Sequence, residues 1–280
     1  MRFRIRYDTV LSYAVPVKTV IMVLRLTPRS HEAQHVASWR IELDVDCLMT
    51  ASEDAFGNIV HTFNAEGPLQ QVGILAEGEV ETFDTAGIVR AALERFPPPL
   101  YLRETPLTAA DTQLRAFALH VASARDGTLD VLHGLMGAIH AALAFDVQSA
   151  GRATTAAEAL AAKRGDCRDF AHMFIACARH LDIPARYVSG FFVPAEGGVE
   201  QSRNHAWAEA FVPDIGWIGF DPVNDICPQE AHVRVACGLD HLGAAPVRAA
   251  CTGGMGEAPT MIVRAGRMQG KRQSQSQRQS

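Results

Sequence analysis

The sequence lacks three features that would each assign it to a class of protein at once. It has no run of about 18 or more apolar residues, so we expect no membrane-spanning helix. It has no excess of positive charge: 31 acidic residues outnumber 26 basic ones and give a net charge of −5, so we expect no nucleic-acid partner. Its six cysteines include no CxxC pair and no metal-like cluster, so the usual spacing of a zinc site is missing.

A secretory leader is not expected either. Residues 1–6, MRFRIR, alternate charged and apolar residues, and no apolar stretch follows the arginines. We therefore predict a cytoplasmic protein in which the cysteines are mostly free thiols, since disulfides are rare in a reducing compartment. The even number of cysteines leaves disulfides open as the less favoured alternative.

What the sequence does have is a change of pattern near residue 84. Between residues 2 and 82, stretches of alternating polar and apolar residues are separated by turn formers about every ten positions. This pattern predicts a small antiparallel β domain of short strands over residues 1–83. The stretch 96–100, FPPPL, can continue neither a helix nor a central strand, so residues 84–107 are predicted to cross between two domains.

From residue 108 to residue 265, helical spacing of the apolar residues comes first and strand-like alternation follows. We predict helices that begin near 108, cover 129–144 and 155–162, and run from 167 to 181, and strands over 186–193, 205–212 and 217–220. Helices followed by strands predict an α+β domain. Residues 266–280 are Gln, Ser, Lys and Arg with almost nothing apolar, which predicts a disordered tail.

Cys167 is the first candidate for chemistry, because a helix is predicted to begin there, just after Gly165, which permits a tight turn. A thiol in the first helical turn faces unpaired backbone N–H groups and the positive end of the helix dipole, which favour the nucleophilic thiolate. Arg168 would favour the thiolate and Asp166 would oppose it. The alternative is a buried structural thiol, as we interpret Cys177. No local chemistry distinguishes the other four, Cys47, Cys227, Cys237 and Cys251.

His205 and Asp221 are the candidates that would act with this thiol. His205 opens a predicted strand and Asp221 closes the next one before Pro222, so both fall on one predicted hairpin. A carboxylate there can accept the imidazole N–H, orient the ring and stabilise its charged form. Each residue alone has an ordinary alternative, a structural histidine or a turn-capping aspartate. Together with a thiol at a helix start they predict a Cys-His-Asp triad.

Two other histidines, His133 and His140, are two turns apart on a predicted helix and could suggest a metal pair. No nearby carboxylate or thiolate completes such a site, so we predict no metal and no cofactor. A zinc protein that uses scattered Cys and His residues is the alternative.

Four stretches, taken in order, resemble the motifs of a known family. They are residues 165–172 (GDCRDFAH), 183–190 (IPARYVSG), 205–209 (HAWAE) and 216–222 (GWIGFDP). They resemble the nucleophile helix, the following strand, and the histidine and aspartate motifs of bacterial transglutaminase-like proteins. Residues 13–16, 24–28 and 54–58 resemble the β domain that precedes the core in these proteins.

This resemblance covers about residues 2–265 and implies a papain-like core, in which the thiol helix packs on an antiparallel sheet. It implies Cys167 as nucleophile, His205 as base and Asp221 as the residue that orients the base. Two positions depart from the family pattern: Asp166 stands where an apolar residue is expected, and residues 237–241 (CGLDH) lack an arginine and an aromatic residue.

The expected activity is acyl transfer on amide or peptide bonds through a thioester. With water as acceptor, which we favour, the protein is a protease or amidase acting on a peptide or protein. With an amine as acceptor it is a transglutaminase, and a non-catalytic binding protein on the same fold is a further alternative. The substrate, the second oxyanion donor and the oligomeric state are left open by the sequence.

Overall fold

Two long antiparallel strands form the centre of the N-terminal sheet in the computed structural model, which describes residues 1–146, 154–193, 203–253 and 260–267. They are β1 (Arg2–Thr27) and β4 (Ile59–Thr82), and they pair along most of their length. Buried and more exposed residues alternate along β1, as the pleat of a strand with one covered face requires.

The prediction of short strands in this region is wrong, because two of the strands are long and continue through prolines. Pro16 of β1 and Pro68 of β4 fall where the β1–β4 register shifts, between Ser12 and Thr19 of β1. A proline cannot donate to a strand ladder, and an irregularity in the pairing removes the need for that donor. The chain therefore continues through both prolines.

Four further strands complete the N-terminal sheet. β2 (Gln34–Leu43) and β3 (Met49–Glu53) pair with β4, whereas β12 (Val247–Thr252) and β13 (Thr260–Arg267) pair with β1. The last two strands follow the core in sequence, so the N-terminal sheet is built from both ends of the chain. The domain boundaries at residues 83, 107 and 265 stay predictions. Of the predicted tail, residues 266 and 267 end β13, and 268–280 lie outside the described residues.

The four predicted helices of the core are confirmed. They are α1 (Thr112–Ala122), α2 (Thr128–Ala142), α3 (Ala156–Ala162) and α4 (Cys167–His180), and a short α5 (His241–Ala244) follows later. α4 is central: 11 of its 14 residues are buried, as expected of a helix that is covered on all sides. Within the described residues, no helix has the length and apolar character needed to cross a membrane.

A second antiparallel sheet packs beside α4, with the strand order β11-β8-β9-β10-β5. Its strands are β8 (Ala185–Phe192), β9 (Arg203–Val212), β10 (Gly216–Phe220), β11 (His232–Gly238) and β5 (Ile88–Val89). The predicted hairpin is present as β9 and β10. The crossing segment adds β5 and a 3-10 helix, Pro98–Leu102, and two short parallel strands, β6 (Ala144–Phe145) and β7 (Arg164–Gly165), precede α4. The α+β fold with an N-terminal antiparallel β domain is thus confirmed.

Two side-chain amides join the N-terminal region to the core at β11, an edge strand of the second sheet. The Asn58 amide donates to the backbone oxygen of Cys237 and accepts from its N–H, both at 2.8 Å. The Gln34 amide does the same with Arg234, at 2.9 and 2.8 Å. Both amides are buried, so each pairs with the edge of β11 as a neighbouring strand would. We call these two contacts the amide clamp.

Candidate active site

α4 begins at Cys167 because the preceding residue, Asp166, caps the helix. The Asp166 carboxylate accepts hydrogen bonds from the backbone N–H groups of Arg168 at 2.9 Å and Asp169 at 3.4 Å. The Asp169 carboxylate accepts from the N–H of Asp166 at 2.9 Å. This reciprocal capping box satisfies N–H groups that a helix start leaves unpaired. Asp166, which departs from the family pattern, therefore fixes the turn that carries the thiol.

Gly165 is required at its position by close packing. A Cβ atom there would lie 2.5 Å from the Cβ of Asp169 and 2.6 Å from its Oδ2. Such contacts are too short for any side chain, so a larger residue would push Asp169 away from the helix start. The sequence suggested that Gly165 permits a tight turn; the structure adds that it leaves room for the capping box.

Arg168 and Asp166, the two charged neighbours of Cys167, bind each other. The Nε and Nη2 atoms of Arg168 donate to Oδ2 of Asp166 at 2.8 and 2.5 Å. The carboxylate side chain is 7% exposed and the guanidinium side chain is 21% exposed, so water screens the pair little. The sequence predicts that these two charges act on the thiol in opposite directions. In the structure they form one ion pair without net charge.

His205, near the start of β9, contacts both the thiol and a carboxylate. Its Nε2 lies 2.7 Å from Oδ2 of Asp221, so Nδ1 is the ring nitrogen left for an interaction with the Cys167 side chain. The sulfur of Cys167 also lies 3.8 Å from the backbone oxygen of Asn204. Burial lowers the pKa of His205, but Asp221 and then Cys167 outweigh burial and raise it to about 10. The imidazole is therefore charged at neutral pH.

Asp221 follows β10 and is fully buried. Its Oδ1 accepts from the backbone N–H groups of Val223 at 3.1 Å and Asn224 at 3.4 Å, and its Oδ2 accepts from the Asn224 amide at 2.6 Å. Burial by itself would raise the pKa of this carboxyl, but the charge of His205 and the hydrogen bonds from His205 and His232 hold the pKa well below its usual range. The carboxylate is thus ionised at neutral pH.

The structure brings the three predicted residues together in the order thiol, imidazole, carboxylate. Asp221 is 0% exposed, His205 is 9% exposed and Cys167 is half-buried, so the thiol is the member that solvent can reach. This arrangement can exchange a proton between sulfur and imidazole while the carboxylate holds the ring. The catalytic roles of the three residues stay predictions.

Two parts of the chain match known families. Residues 115–222 match the transglutaminase-like superfamily, and residues 3–81 match the bacterial transglutaminase-like N-terminal region. This chain has a transglutaminase-like core and a bacterial transglutaminase-like N-terminal region. The matched core contains Cys167, His205 and Asp221, so the resemblance inferred from the motifs is confirmed.

Similar proteins span nearly the whole chain. An uncharacterized protein of Mycobacterium leprae is 28% identical over 266 residues, which are 90% of this chain and 94% of that protein. An uncharacterized protein of Mycobacterium tuberculosis is 26% identical over 276 residues, covering 88% and 86%. The crystal structure of a putative cysteine protease from Cytophaga hutchinsonii superimposes with a TM-score of 0.78 at 20% identity, covering 96% of this chain and 91% of that one. At that identity the likeness concerns the fold.

The site includes one residue that the sequence analysis missed and that lies beyond the matched residues 115–222. His232, the first residue of β11, places its Nε2 3.0 Å from Oδ2 of Asp221, on the same oxygen that His205 contacts. The residue lies in a stretch without any motif that we recognised, and only strand pairing brings it to the triad. Its position at the start of an alternating stretch is the one signal in the sequence, and it is a weak signal.

His205, Asp221 and His232 also form the kind of group that can hold a metal ion, since their ligand atoms lie within 4.8 Å of one another. Both Nε2 atoms contact one carboxylate oxygen at hydrogen-bond distances, 2.7 and 3.0 Å. Zinc ligands instead surround the ion at about 2.0–2.2 Å and do not bond to one another. Hydrogen bonding therefore accounts for the proximity of the three side chains in this transglutaminase-like core.

The other cysteines and histidines named from the sequence lie away from the triad or have contacts of a structural kind. Burial raises the pKa of Cys177 to about 12, which keeps this helix thiol protonated. The ring of His133 packs edge-on against Phe220. Nδ1 of His140 lies 3.2 Å from the backbone oxygen of Pro222, in the segment after Asp221. All six cysteines are free thiols, and among them Cys251 is exposed.

Proposed function

We propose that this protein is a cysteine-dependent acyl-transfer enzyme that cleaves amide or peptide bonds through a thioester intermediate. The observation that carries the proposal is the chain of contacts from the Cys167 thiol through the His205 imidazole to the buried Asp221 carboxylate. A binding protein would gain nothing from an ionised carboxylate in this place, because burying a charge costs free energy. The match to the transglutaminase-like superfamily supports the same assignment.

In the first step, the Cys167 sulfur attacks the carbonyl carbon of the substrate amide. The proton on Nδ1 of His205 passes to the leaving nitrogen, the C–N bond breaks, and the amine departs. The acyl group is then joined to Cys167 as a thioester. His205 can supply this proton because its charged form is stabilised by Asp221, which itself stays ionised.

In the second step, the neutral His205 takes a proton from water, and the water oxygen attacks the thioester. The C–S bond breaks, which releases the acid product and restores the thiolate beside a charged imidazole. An amine in place of water would form a new amide, which is the transglutaminase reaction. We propose water as the acceptor, a peptide or protein as the substrate, and the cytoplasm as the location, in line with six free thiols.

The backbone N–H of Cys167 is the donor that we assign to the oxygen of the tetrahedral intermediate. The N–H groups of Arg168 and Asp169, which follow it in the first turn of α4, already donate to the Asp166 carboxylate. A donor fixed in place before the reaction stabilises the developing negative charge without reorganisation. The capping box therefore narrows the choice of first-turn donors to the residue that carries the nucleophile.

Alkylation tests the nucleophile. Low concentrations of iodoacetamide at neutral pH should label Cys167 before any other cysteine, and Cys167→Ala should abolish this fast labelling. Cys251 is the internal comparison, because its greater exposure predicts that it reacts first if exposure alone decides. Peptide mass spectrometry locates the label. Fast labelling at Cys251 with Cys167 unlabelled would contradict the assignment.

A peptide library, incubated with and without a primary amine, tests the reaction. Cleaved peptides in both samples are the expected result, and Cys167→Ala should produce none. Amine-joined peptides would show that the reaction is transglutamination and not hydrolysis. Unchanged peptides with the wild-type protein would contradict both forms of acyl transfer and leave the binding protein as the better description.

A further inference from the structure

His232 is held firmly against the carboxylate of the triad. Its side chain is 2% exposed, and its ring packs against Phe192 with centroids 4.8 Å apart and edge-on against Trp207 at 5.4 Å. Two residues after His232 in β11, Arg234 lies opposite Gly190 of β8. Because Arg234 is also held by the Gln34 amide of the clamp, the start of β11 is fixed from both sides.

The hydrogen bonds of His232 determine which ring nitrogen carries the proton. The backbone N–H of Gln229 donates to Nδ1 at 3.2 Å, so Nδ1 is an acceptor and lacks a proton. Nε2 must then carry it and donate to Oδ2 of Asp221. Burial lowers the pKa of His232, against the opposing effect of Asp221, so this ring is neutral at neutral pH.

A neutral donor has a different effect on Asp221 from a second cation. Oδ2 receives N–H groups from His205, His232 and the Asn224 amide, and Oδ1 receives two backbone N–H groups. Every direction in which the carboxylate could accept a bond is occupied, so it cannot rotate away from His205. A neutral His232 adds this restraint without a positive charge that would compete with the imidazolium for the same carboxylate.

We propose that His232 is a positioning residue for the triad, whose Nε2–H locks the Asp221 carboxylate in the orientation that holds His205 against Cys167. This inference rests on the proposed function, in which Cys167 is a nucleophile activated by His205. His232 touches neither the thiol nor the reacting atoms by this account, and it acts only through Asp221.

Two substitutions distinguish the effect of the N–H donor of His232 from the effect of its ring volume. His232→Gln keeps an N–H donor at about the place of Nε2, whereas His232→Phe keeps the ring volume and removes the donor. The rate of Cys167 alkylation by iodoacetamide at neutral pH, located by mass spectrometry, is the measurement, and it needs no known substrate. We expect His232→Phe to lower this rate about ten-fold or more, and His232→Gln to recover most of it.

The outcomes separate this inference from the proposed function. Preferential labelling of wild-type Cys167 supports the nucleophile whatever His232 does, and its absence defeats the proposed function itself. With that labelling present, a wild-type rate in His232→Phe would overturn the inference. Equal slowing in both variants would overturn it too, because ring packing and not the donor would then be responsible.

Nuclear magnetic resonance of the wild-type protein decides the matter if His232→Phe fails to fold. With ¹⁵N-labelled histidine at neutral pH, His232 should show a protonated Nε2 and an unprotonated Nδ1. The Nε2 proton should be hydrogen-bonded to the Asp221 carboxylate. A ring protonated on Nδ1, or on both nitrogens, would overturn the inference. His232→Gln serves to assign the signal.

Discussion

Gly190 and His205 lie directly opposite each other in the antiparallel pair of β8 and β9. A Cβ atom on Gly190 would lie 2.1 Å from the backbone oxygen of Val233 and 2.7 Å from the ring of Trp207. Val233 follows His232, and Trp207 lies two residues after His205. The absence of a side chain at Gly190 therefore lets β8 lie close to both strands that carry the histidines, β9 on one side and β11 on the other.

Gly190→Ala should displace both histidines and slow the alkylation of Cys167. We expect a loss of about 1–3 kcal/mol in the free energy of unfolding, the usual cost of overpacking, together with a slower labelling rate. Gly78→Ala is the matched control: its Cβ would lie 2.1 Å from the backbone oxygen of Ser38 and 2.6 Å from the ring of Trp39, in the N-terminal sheet. It should cost similar stability and leave labelling unchanged. Equal labelling rates in the two folded variants would contradict the prediction.

The charged state of His205 predicts how stability changes with pH. Its pKa is raised from 6.5 to about 10 in the folded protein, chiefly by Asp221 working against burial. A raised pKa stabilises the folded state fully below the unfolded pKa, and this contribution is lost as pH rises towards the folded value. The free energy of unfolding should therefore fall between about pH 7 and pH 10 in the wild type, and fall less in His205→Gln.

Urea unfolding at several pH values measures this difference. His120→Gln, which removes an exposed histidine from α1, is the control and should follow the wild-type curve. Parallel curves for His205→Gln and the wild type would contradict a stabilised imidazolium.

Local signals predict the parts of the site that depend on local structure. A helix does begin at Cys167, and His205 and Asp221 do fall on the strand and strand end expected of them. Helix starts and short hairpins are set by residues a few positions apart, so one sequence is enough to locate them. The role of Asp166 as a cap was also within reach, because an aspartate followed by Asp169 three positions later fits a capping box.

Pairing between distant residues accounts for what the sequence did not predict. His232 reaches Asp221 through β11, and the edge of β11 is bound by Gln34 and Asn58, about two hundred residues earlier. Likewise, the sequence predicted no strand at β12 or β13, and nothing local shows that they pair with β1. Such partners follow from the fold as a whole, and no short pattern specifies them.

The amide clamp predicts that two side chains outside the core contribute to its stability. Gln34→Ala and Asn58→Ala each remove two hydrogen bonds to a buried strand edge, which should cost about 1–3 kcal/mol in the free energy of unfolding. Asn64→Ala, an exposed amide on β4, is the control and should change stability by less than about 0.5 kcal/mol. Urea unfolding measures all three. If the two clamp variants are as stable as the control, water replaces the hydrogen bonds of the amides without loss in the free energy of unfolding.

The cap at Asp166 predicts a link between helix stability and thiol reactivity. Asp166→Ala removes the cap of α4 and should lower the free energy of unfolding by about 1–2 kcal/mol, whereas Asp166→Asn keeps an acceptor oxygen and should lose less. Asp111→Ala removes the corresponding cap of α1, where the carboxylate accepts from the N–H of Leu114 at 2.8 Å.

The two alanine variants should lose similar stability, but only Asp166→Ala should slow the alkylation of Cys167, because only α4 carries the thiol in its first turn. We expect the displacement of the thiol to outweigh the loss of the Asp166 charge, which opposes the thiolate. Denaturant unfolding and mass-spectrometric labelling on the same samples give both quantities. If labelling in Asp166→Ala stays at the rate found in Asp111→Ala, the thiol does not depend on its cap, and the position of Cys167 must be fixed by its contact with His205 instead.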